Sequence, residues 1–342
     1  GDQCCMTDKA TIDMTHGGGG RAMADLIDGL FHRQLSNPIL NRGDDGAVLE
    51  APQGRLVIST DGHVISPLFF PGGDIGTLAV NGTINDLAVM GARPICLTAG
   101  FILEEGFPLS DLDSIVAAMG AAAREAGVPV VSGDTKVVEK GNGDGVFITT
   151  TGLGAVPDGV SVSAGNIRPG QAILLSGTIG DHGVAVLSKR QNLEFETRIE
   201  SDTSALHELV GAMVAEVPGI AAMRDPTRGG LAAALNEMAA TGGVGMVLDE
   251  ASIPVRADVA AACELLGLDP LNIANEGKLV AFCPAETADR LLEVMRAQPL
   301  GGQAAIIGEV TEDPAHIVQM KTAFGGARVI DWLSGEQLPR IC

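Results

Sequence analysis

The sequence contains no tyrosine, one tryptophan (Trp332) and nine phenylalanines in 342 residues, so aliphatic side chains and alanine must fill its interior. Basic residues are scarce as well: 22 Lys and Arg against 43 Asp and Glu give a net charge of −21. Such a chain repels nucleic-acid backbones and anionic lipid surfaces, and neither is expected as a partner. An anionic small molecule can bind only where cations or backbone N–H groups reverse the local field. No apolar run reaches the roughly 18 residues of a membrane span, and no basic stretch leads into an apolar one as in a secretory signal. Cys4, Cys5, Cys96, Cys263, Cys283 and Cys342 form no C-x-x-C pair, which excludes zinc-ribbon and thioredoxin-type motifs. Their scatter reads as the reduced thiols of a cytoplasmic protein. The chain opens on Gly1, and Met6 is read as the native start.

Glycine, by contrast, is abundant: the 46 residues imply many tight turns or close backbone approaches to a ligand. The length predicts two domains, and the pattern divides the chain into four parts. Residues 1–35 hold a glycine-rich segment, loosely structured to about Thr15, and an amphipathic helix over Arg21–Leu35, where Met23, Leu26, Ile27 and Leu30 recur at helical spacing. In residues 36–156, strand-like runs at Ala47–Leu49, Leu56–Ser59, Ile95–Leu103, Val128–Val131 and Val146–Leu153 enclose helical patterns at Gly76–Met90 and Leu112–Ala126. Residues 157–332 carry strands near Ala172–Ser176, Met246–Leu248, Lys278–Phe282 and Ala304–Val310. Between them come helices near Gly183–Arg190, Leu206–Val214, Gly230–Thr241 and Val259–Leu266. This alternation predicts an α/β (α+β) fold. Residues 333–342 form a tail ending in Cys342.

Several acidic residues stand beside glycine or just after apolar runs: Asp44 and Asp45, Asp61, and Asp134. Asp-Gly commonly makes turns, but several such sites in one domain point to a metal–nucleotide site, because Mg²⁺ asks for one or two carboxylates plus phosphate oxygens. Asn81, Asn85 and Asp86 form a polar face on an otherwise apolar helix, turned either to solvent or to a ligand. Gly17–Gly20 lacks the preceding strand of a dinucleotide fingerprint and the Lys of a Walker loop. It remains a linker or a phosphate-binding approach to a helix N-terminus. The loops Arg224–Gly230 and Asn275–Lys278 read as phosphate-holding loops or as caps and turns. His16, His63 and His182 show no ligand spacing and are read as structural or solvated. Cys342 is the most unusual residue, since a prenylation signal needs its cysteine four residues from the end. After Pro339, which stiffens the tail, Cys342 is either an incidental thiol or a tethered nucleophile.

From His16 to Cys342 the sequence resembles the HypE family of hydrogenase maturation factors, in the superfamily of aminoimidazole ribonucleotide and selenophosphate synthetases. The stretches that carry the likeness are His16–Gly20, Gly43–Ala47, Ser59–His63, Asn81–Gly91, Ser132–Val137, Ser176–Gly183, Arg224–Gly230, Ala274–Lys278 and the ending Pro339-Arg340-Ile341-Cys342. One departure is Gly18, where the family often has a small hydroxyl residue.

The resemblance implies a two-domain PurM-like fold. Its N-terminal domain pairs its sheet into a dimeric β-barrel, and its C-terminal domain is an α/β sandwich. It also implies an ATP-dependent carbamoyl dehydratase. The carbamoyltransferase HypF loads a carbamoyl group on Cys342, and ATP with Mg²⁺ drives its dehydration to a thiocyanate. The cyanide passes to the [NiFe]-hydrogenase iron on HypC and HypD. By resemblance, Cys342, Glu276 (base) and Lys136 (charge stabilisation) are catalytic, the last two roles being exchangeable. Gly18, Gly19, Gly20, Asp44, Asp61, Asn81, Asn85, Asp86, Asp134, Thr135 and Arg228 bind the nucleotide, and Asp45, Asp61, Asp86 and Asp134 hold the metal. Two alternatives are another superfamily kinase or synthetase, whose activity would survive loss of Cys342, and a non-enzymatic maturation scaffold. The lack of Cys in Gly17–Gly20 counts against a selenophosphate synthetase.

Overall fold

The computed structural model of the chain describes residues 10–193, 198–332, 338 and 340–342. Cys4, Cys5, Met6, Pro339 and most of the expected tail lie outside the described residues.

The first domain begins with α1 (Arg21–Leu26), a π-helical stretch Ile27–His32 and α2 (Arg33–Leu35), forming one continuous helical run. Next come β1 (Arg55–His63), the short strands β2 (Phe69–Phe70) and β3 (Gly73–Asp74), and α3 (Ile75–Val89). The domain is completed by β4 (Arg93–Glu104), α4 (Leu109–Ala126), β5 (Val130–Val138) and β6 (Val146–Val156). Its sheet has the order β1-β6-β4-β5, antiparallel except for the parallel β4–β5 pair. Leu26, Leu30, Phe31 and Leu35 join the core of this sheet and its helices, so the N-terminal helical run is part of the domain. Two expectations fail. Ala47–Leu49 is a loop with Val48 70% exposed, because three apolar residues between Gly46 and Glu50 supply neither length nor a buried face. Residues 10–12 are pinned, not loose: Ile12 is buried, and its N–H donates to the Phe107 carbonyl at 2.8 Å.

The helix α3 starts at the Asp74 cap, whose Oδ1 accepts from Thr77 N–H at 2.9 Å. All of its residues except Thr77 and Asp86 are buried, since it is wedged between the sheet and the second domain. Gly76 permits the close crossing with α4: a Cβ there would lie 2.2 Å from the Ile115 carbonyl oxygen. The opposite face of the sheet is uncovered and apolar in part, with Leu56, Ile58 and Ile102 exposed by 54%, 72% and 44%.

The second domain contains β7 (Gln171–Leu175), α5 (Asp181–Gln191), α6 (His207–Glu216), β8 (Ala222–Arg224), α7 (Gly230–Gly242), β9 (Gly245–Asp249) and α8 (Ala257–Leu266). It ends with β10 (Val280–Pro284), α9 (Ala288–Arg296), β11 (Ala305–Thr311), β12 (Val318–Lys321) and β13 (Ala327–Val329). Its sheet runs β13-β12-β9-β11-β7-β10-β8. Alternate residues of β7 show why both faces are covered: Ile173 and Leu175 pack with α7, whereas Ala172 and Leu174 pack with α6 and α9. The domains share apolar clusters, Val186, Ala274 and Ile341 joining the first core and Ala88 and Val89 the third. Among the described residues no helix is long and apolar enough to cross a membrane.

Candidate active site

The loops of the second domain are locked together at the domain junction by buried amides and one ion pair. Asn275 is fully buried; its Oδ1 accepts from Gly180 N–H at 2.8 Å, and its Nδ2 donates to the carbonyls of Pro226 (2.8 Å) and Ile273 (3.0 Å). Asp202 accepts from the backbone N–H groups of Glu276 (3.0 Å) and Gly277 (3.2 Å) and from Lys278 Nζ (2.9 Å). Gly277 is obligatory here, because a Cβ would stand 1.9 Å from the Asp202 carbonyl oxygen. From the first domain, Asn85 Nδ2 donates to the carbonyls of Ser204 (2.9 Å) and Glu276 (3.2 Å), while its Oδ1 accepts from Leu206 N–H at 2.8 Å.

This frame concentrates negative charge. Glu276 is 5% exposed and its Oε1 has no hydrogen-bond partner. Burial first, and then the charges of Asp202, Asp225, Asp61 and Asp86, push its carboxyl well above the ordinary glutamate range. Burial and the neighbouring Asp86 push Asp225 up to about 7. Asp86 is raised mainly by burial, while a hydrogen bond from Ser59 Oγ at 2.8 Å works the other way. Asp61 accepts from its neighbour Gly62 N–H at 2.8 Å and stands 3.8 Å from the buried His63 ring.

The C-terminus enters this junction. Ile341 is 2% exposed and bridges Ile65 in antiparallel fashion; Val64 N–H donates to the Cys342 carbonyl at 3.0 Å and Ser66 N–H to that of Arg340 at 3.2 Å. The Cys342 thiol is pushed up to about 12 by burial and by the charge of Glu276. The positive charge of the neighbouring Arg228 opposes that rise. The half-buried terminal thiol and a buried, unpartnered carboxyl oxygen thus share one corner of the junction, with the exposed Arg228 guanidinium at its edge. A neutral thiol docks there readily, and a carboxylate there is a strong base.

The other expected residues fall in several places. Asp44, Asp45 and Asp134 line a second cleft of about 720 Å³, with Gly43, Gly46 and Gly133. Lys136 is exposed and paired with Asp134 on the uncovered face of the sheet, not beside Cys342. Asp61 on β1 and Asp134 on β5 occupy opposite edges of the sheet, three strand spacings or about 14 Å apart. The expected metal set of Asp45, Asp61, Asp86 and Asp134 therefore does not converge within one chain. Among the described residues no three His, Cys, Asp or Glu side chains gather closely enough to cage a metal ion. Gly18, Gly19 and Gly20 are exposed between the turn at Met14–Gly17 and α1, and Thr135 is buried on the inner face of β5. Asn81 and Asn85 are buried at the domain junction; Asn81 Nδ2 donates to Thr203 Oγ1 at 3.3 Å. Sequence reasoning missed Asp225 and Asp202. Asp225 sat in a loop already singled out, with Arg224 and Arg228 beside it as the available signal, whereas Asp202 carried none.

Residues 43–156 match the family model for the N-terminal domain of AIR synthase related proteins, and residues 168–321 match that for the C-terminal domain. Carbamoyl dehydratase HypE of Cupriavidus necator is 65% identical over 332 residues, 97% of this chain and 95% of that protein. A solved structure of hydrogenase maturation protein HypE in complex with ATP is similar with a TM-score of 0.93 at 49% identity, covering 96% of this chain and 99% of that one. HypE in a HypE–HypF complex aligns with a TM-score of 0.80 at 45% identity, over 90% of this chain and 99% of that one. The chain has the two-domain PurM-like fold and belongs to the AIR synthase-related proteins and, within them, to the HypE family of carbamoyl dehydratases in hydrogenase maturation.

Proposed function

We propose that this chain dehydrates a carbamoyl group carried on Cys342, converting R–S–C(=O)–NH₂ and ATP into R–S–C≡N, ADP and phosphate. The observation that carries the reading is the docked Cys342, whose sulfur lies in the field of Glu276, a buried carboxyl with a free acceptor oxygen. Amide oxygen is a poor leaving group, and transfer of the γ-phosphoryl group to it makes its departure feasible. Nitrogen must then lose two protons, one on forming the imidate and one as phosphate leaves. Glu276 accepts the first, because its desolvated carboxylate is a strong base held by the Asp202-braced loop, and the departing phosphate takes up the second on its own oxygen. Arg228 orients the sulfur and offsets local negative charge.

The donor set fits Mg²⁺: Asp86 is raised by burial and by Asp61, Asp225 by burial and by Asp86, and Mg²⁺ needs only one or two carboxylates beside phosphate oxygens. Asp86 and Asp225 would hold it together with phosphate oxygens, and it would neutralise the triphosphate. Asp44, Asp45, Asp134, Thr135 and Gly18–Gly20 belong in this reading to the phosphate side of the nucleotide site; Lys136, paired with Asp134 on the uncovered sheet face, does not reach the activated oxygen within one chain, and positive charge there falls to Arg228. The uncovered apolar sheet face supports a homodimer in which two such sheets close a barrel. HypF supplies the carbamoyl group to the undocked tail, where the thiol escapes the burial that suppresses it, and HypC with HypD receive the cyanide. The free cysteines Cys96, Cys263, Cys283 and Cys342 suit a reducing cytoplasm.

The test follows the C-terminal peptide by mass spectrometry after incubation with HypF, carbamoyl phosphate, ATP and Mg²⁺. The peptide should gain a carbamoyl group and then lose one water. Glu276→Gln should stall at the carbamoylated stage, its dehydration slowed about 10²–10⁴-fold. Modification elsewhere than Cys342 refutes the carrier, and normal dehydration in the variant refutes the base.

A further inference from the structure

We propose that His182 and Arg190 are positioning residues for the reaction. By clamping the carbonyls of Ile341 and Arg340, they hold the Cys342 sulfur in the corner shared with Glu276. The inference rests on the reading of Cys342 as the carrier and adds to it the groups that keep the carrier seated.

His182, in the first turn of α5, is fully buried and lies edge-on to Phe70 with ring centroids 5.4 Å apart. Its Nε2 is 2.8 Å from the Ile341 carbonyl oxygen and its Nδ1 2.7 Å from Ser201 Oγ. A carbonyl only accepts, so Nε2 must carry the proton. Burial favours the neutral ring, so Nδ1 accepts from the Ser201 hydroxyl, whose oxygen in turn accepts from Thr203 N–H at 3.1 Å. Ser201 thereby fixes the tautomer that recognises the tail. A fully buried imidazole with both nitrogens used is otherwise a costly way to fill a core. Beyond its own domain's loops, the ring meets Phe70 and the penultimate residue of the chain.

Arg190, at the other end of α5, reaches across the same pairing. Its Nε donates to the Ser66 carbonyl at 2.8 Å and its Nη2 to the Arg340 carbonyl at 2.9 Å, tying the tail to the segment it bridges. Arg340 needs holding, since its φ of 55° is the left-handed conformation that arginine rarely adopts unaided. Its side chain pairs with Asp144 on the β5–β6 connection. One helix therefore grips two successive tail peptides, one from each end. The bridge to Ile65 adds backbone hydrogen bonds that any sequence could make, and His182 and Arg190 supply the side-chain-specific part.

The test is the rate at which iodoacetamide alkylates each cysteine of the full chain, read peptide by peptide. The docked thiol is half-buried and kept protonated, so faster labelling at Cys342 reports a larger undocked fraction. In the wild type, Cys342 should react more slowly than in the urea-unfolded chain. His182→Leu and Arg190→Met should each speed Cys342 labelling roughly tenfold, the worth of one buried hydrogen bond. The buried Cys96, Cys263 and Cys283 should keep their wild-type rates. His182→Gln, which retains a donor, should restore most of the protection. Dehydration kcat should fall in parallel, with the ATP KM unchanged. Arg190→Met leaves no core hole, so the idea stands or falls on it even if His182→Leu does not fold. Cys342 rates within twofold of wild type in the folded variants, or equal acceleration of all the cysteines, would overturn it. The labelling needs neither ATP nor a carbamoyl donor. Protection lost in the variants while the wild type dehydrates nothing would refute the function and leave the clamp standing.

Discussion

Replacing Asp225 by asparagine should stabilise the nucleotide-free protein while removing activity. Asp225 rises from the ordinary 3.8 to about 7, first through burial and then through Asp86. Between those values the unfolded chain has released the proton and the native chain has kept it. The unfolded state then binds fewer protons, and stability falls as pH rises through the window. Roughly three pKa units at about 1.4 kcal/mol each set a ceiling near 4 kcal/mol. Asp225 is only partly shielded from solvent, so about half of that, ~2 kcal/mol, is expected. Asparagine does not titrate and escapes the penalty. Urea unfolding of both proteins in EDTA should show nearly equal stability around pH 4 and an advantage to the variant of about 2 kcal/mol by about pH 8. A gap independent of pH, or a variant less stable than the wild type at the higher pH, would refute the account of an electrostatically strained acid cluster. Activity is expected to fall because the same carboxylate is assigned to the metal.

Asp202→Ala should destabilise the chain by about 3–5 kcal/mol in urea, because it removes the ion-pair partner of the largely buried Lys278 and frees the Glu276 loop; a loss below about 1 kcal/mol would contradict this. Ile58→Glu, on the uncovered face of the first sheet, should convert a dimer to a folded monomer by light scattering. A monomeric wild type, or a variant that stays dimeric, would remove that face as the pairing surface.

Local pattern was legible wherever an element carries its own periodicity or apolar run. The strands β1, β4 and β6 and the helices α3 and α4 fall on their expected segments, whereas β5 (Val130–Val138) shares only its first two residues with the strand expected at Val128–Val131. The short β8, β12 and β13 escaped notice, since three or four residues hold no period, and α9 was missed although Leu291, Val294 and Met295 give it a buried face. The polar face of α3 left solvent and ligand as its options. It turned out to be a domain junction, where Asn85 meets three backbone groups of the second domain. Thr203, Ser204 and Glu276, which supply several of its contacts, lie more than a hundred residues away.

The sequence by itself determined that Cys342 is exceptional, that several acid–glycine loops recur as candidates for a phosphate site, and that two mixed domains carry them. These follow from residue type and short-range spacing. Only the tertiary structure decided which carboxylates meet. It brings Asp61, Asp86, Asp225 and Glu276 within electrostatic reach of one another and leaves Asp134 on the far edge of the sheet. It also seats the last residues against Ile65, His182 and Arg190. The physical reason is that a carboxyl's proton affinity and a tail's resting place depend on burial and on neighbours distant in the chain, and no local spacing encodes either.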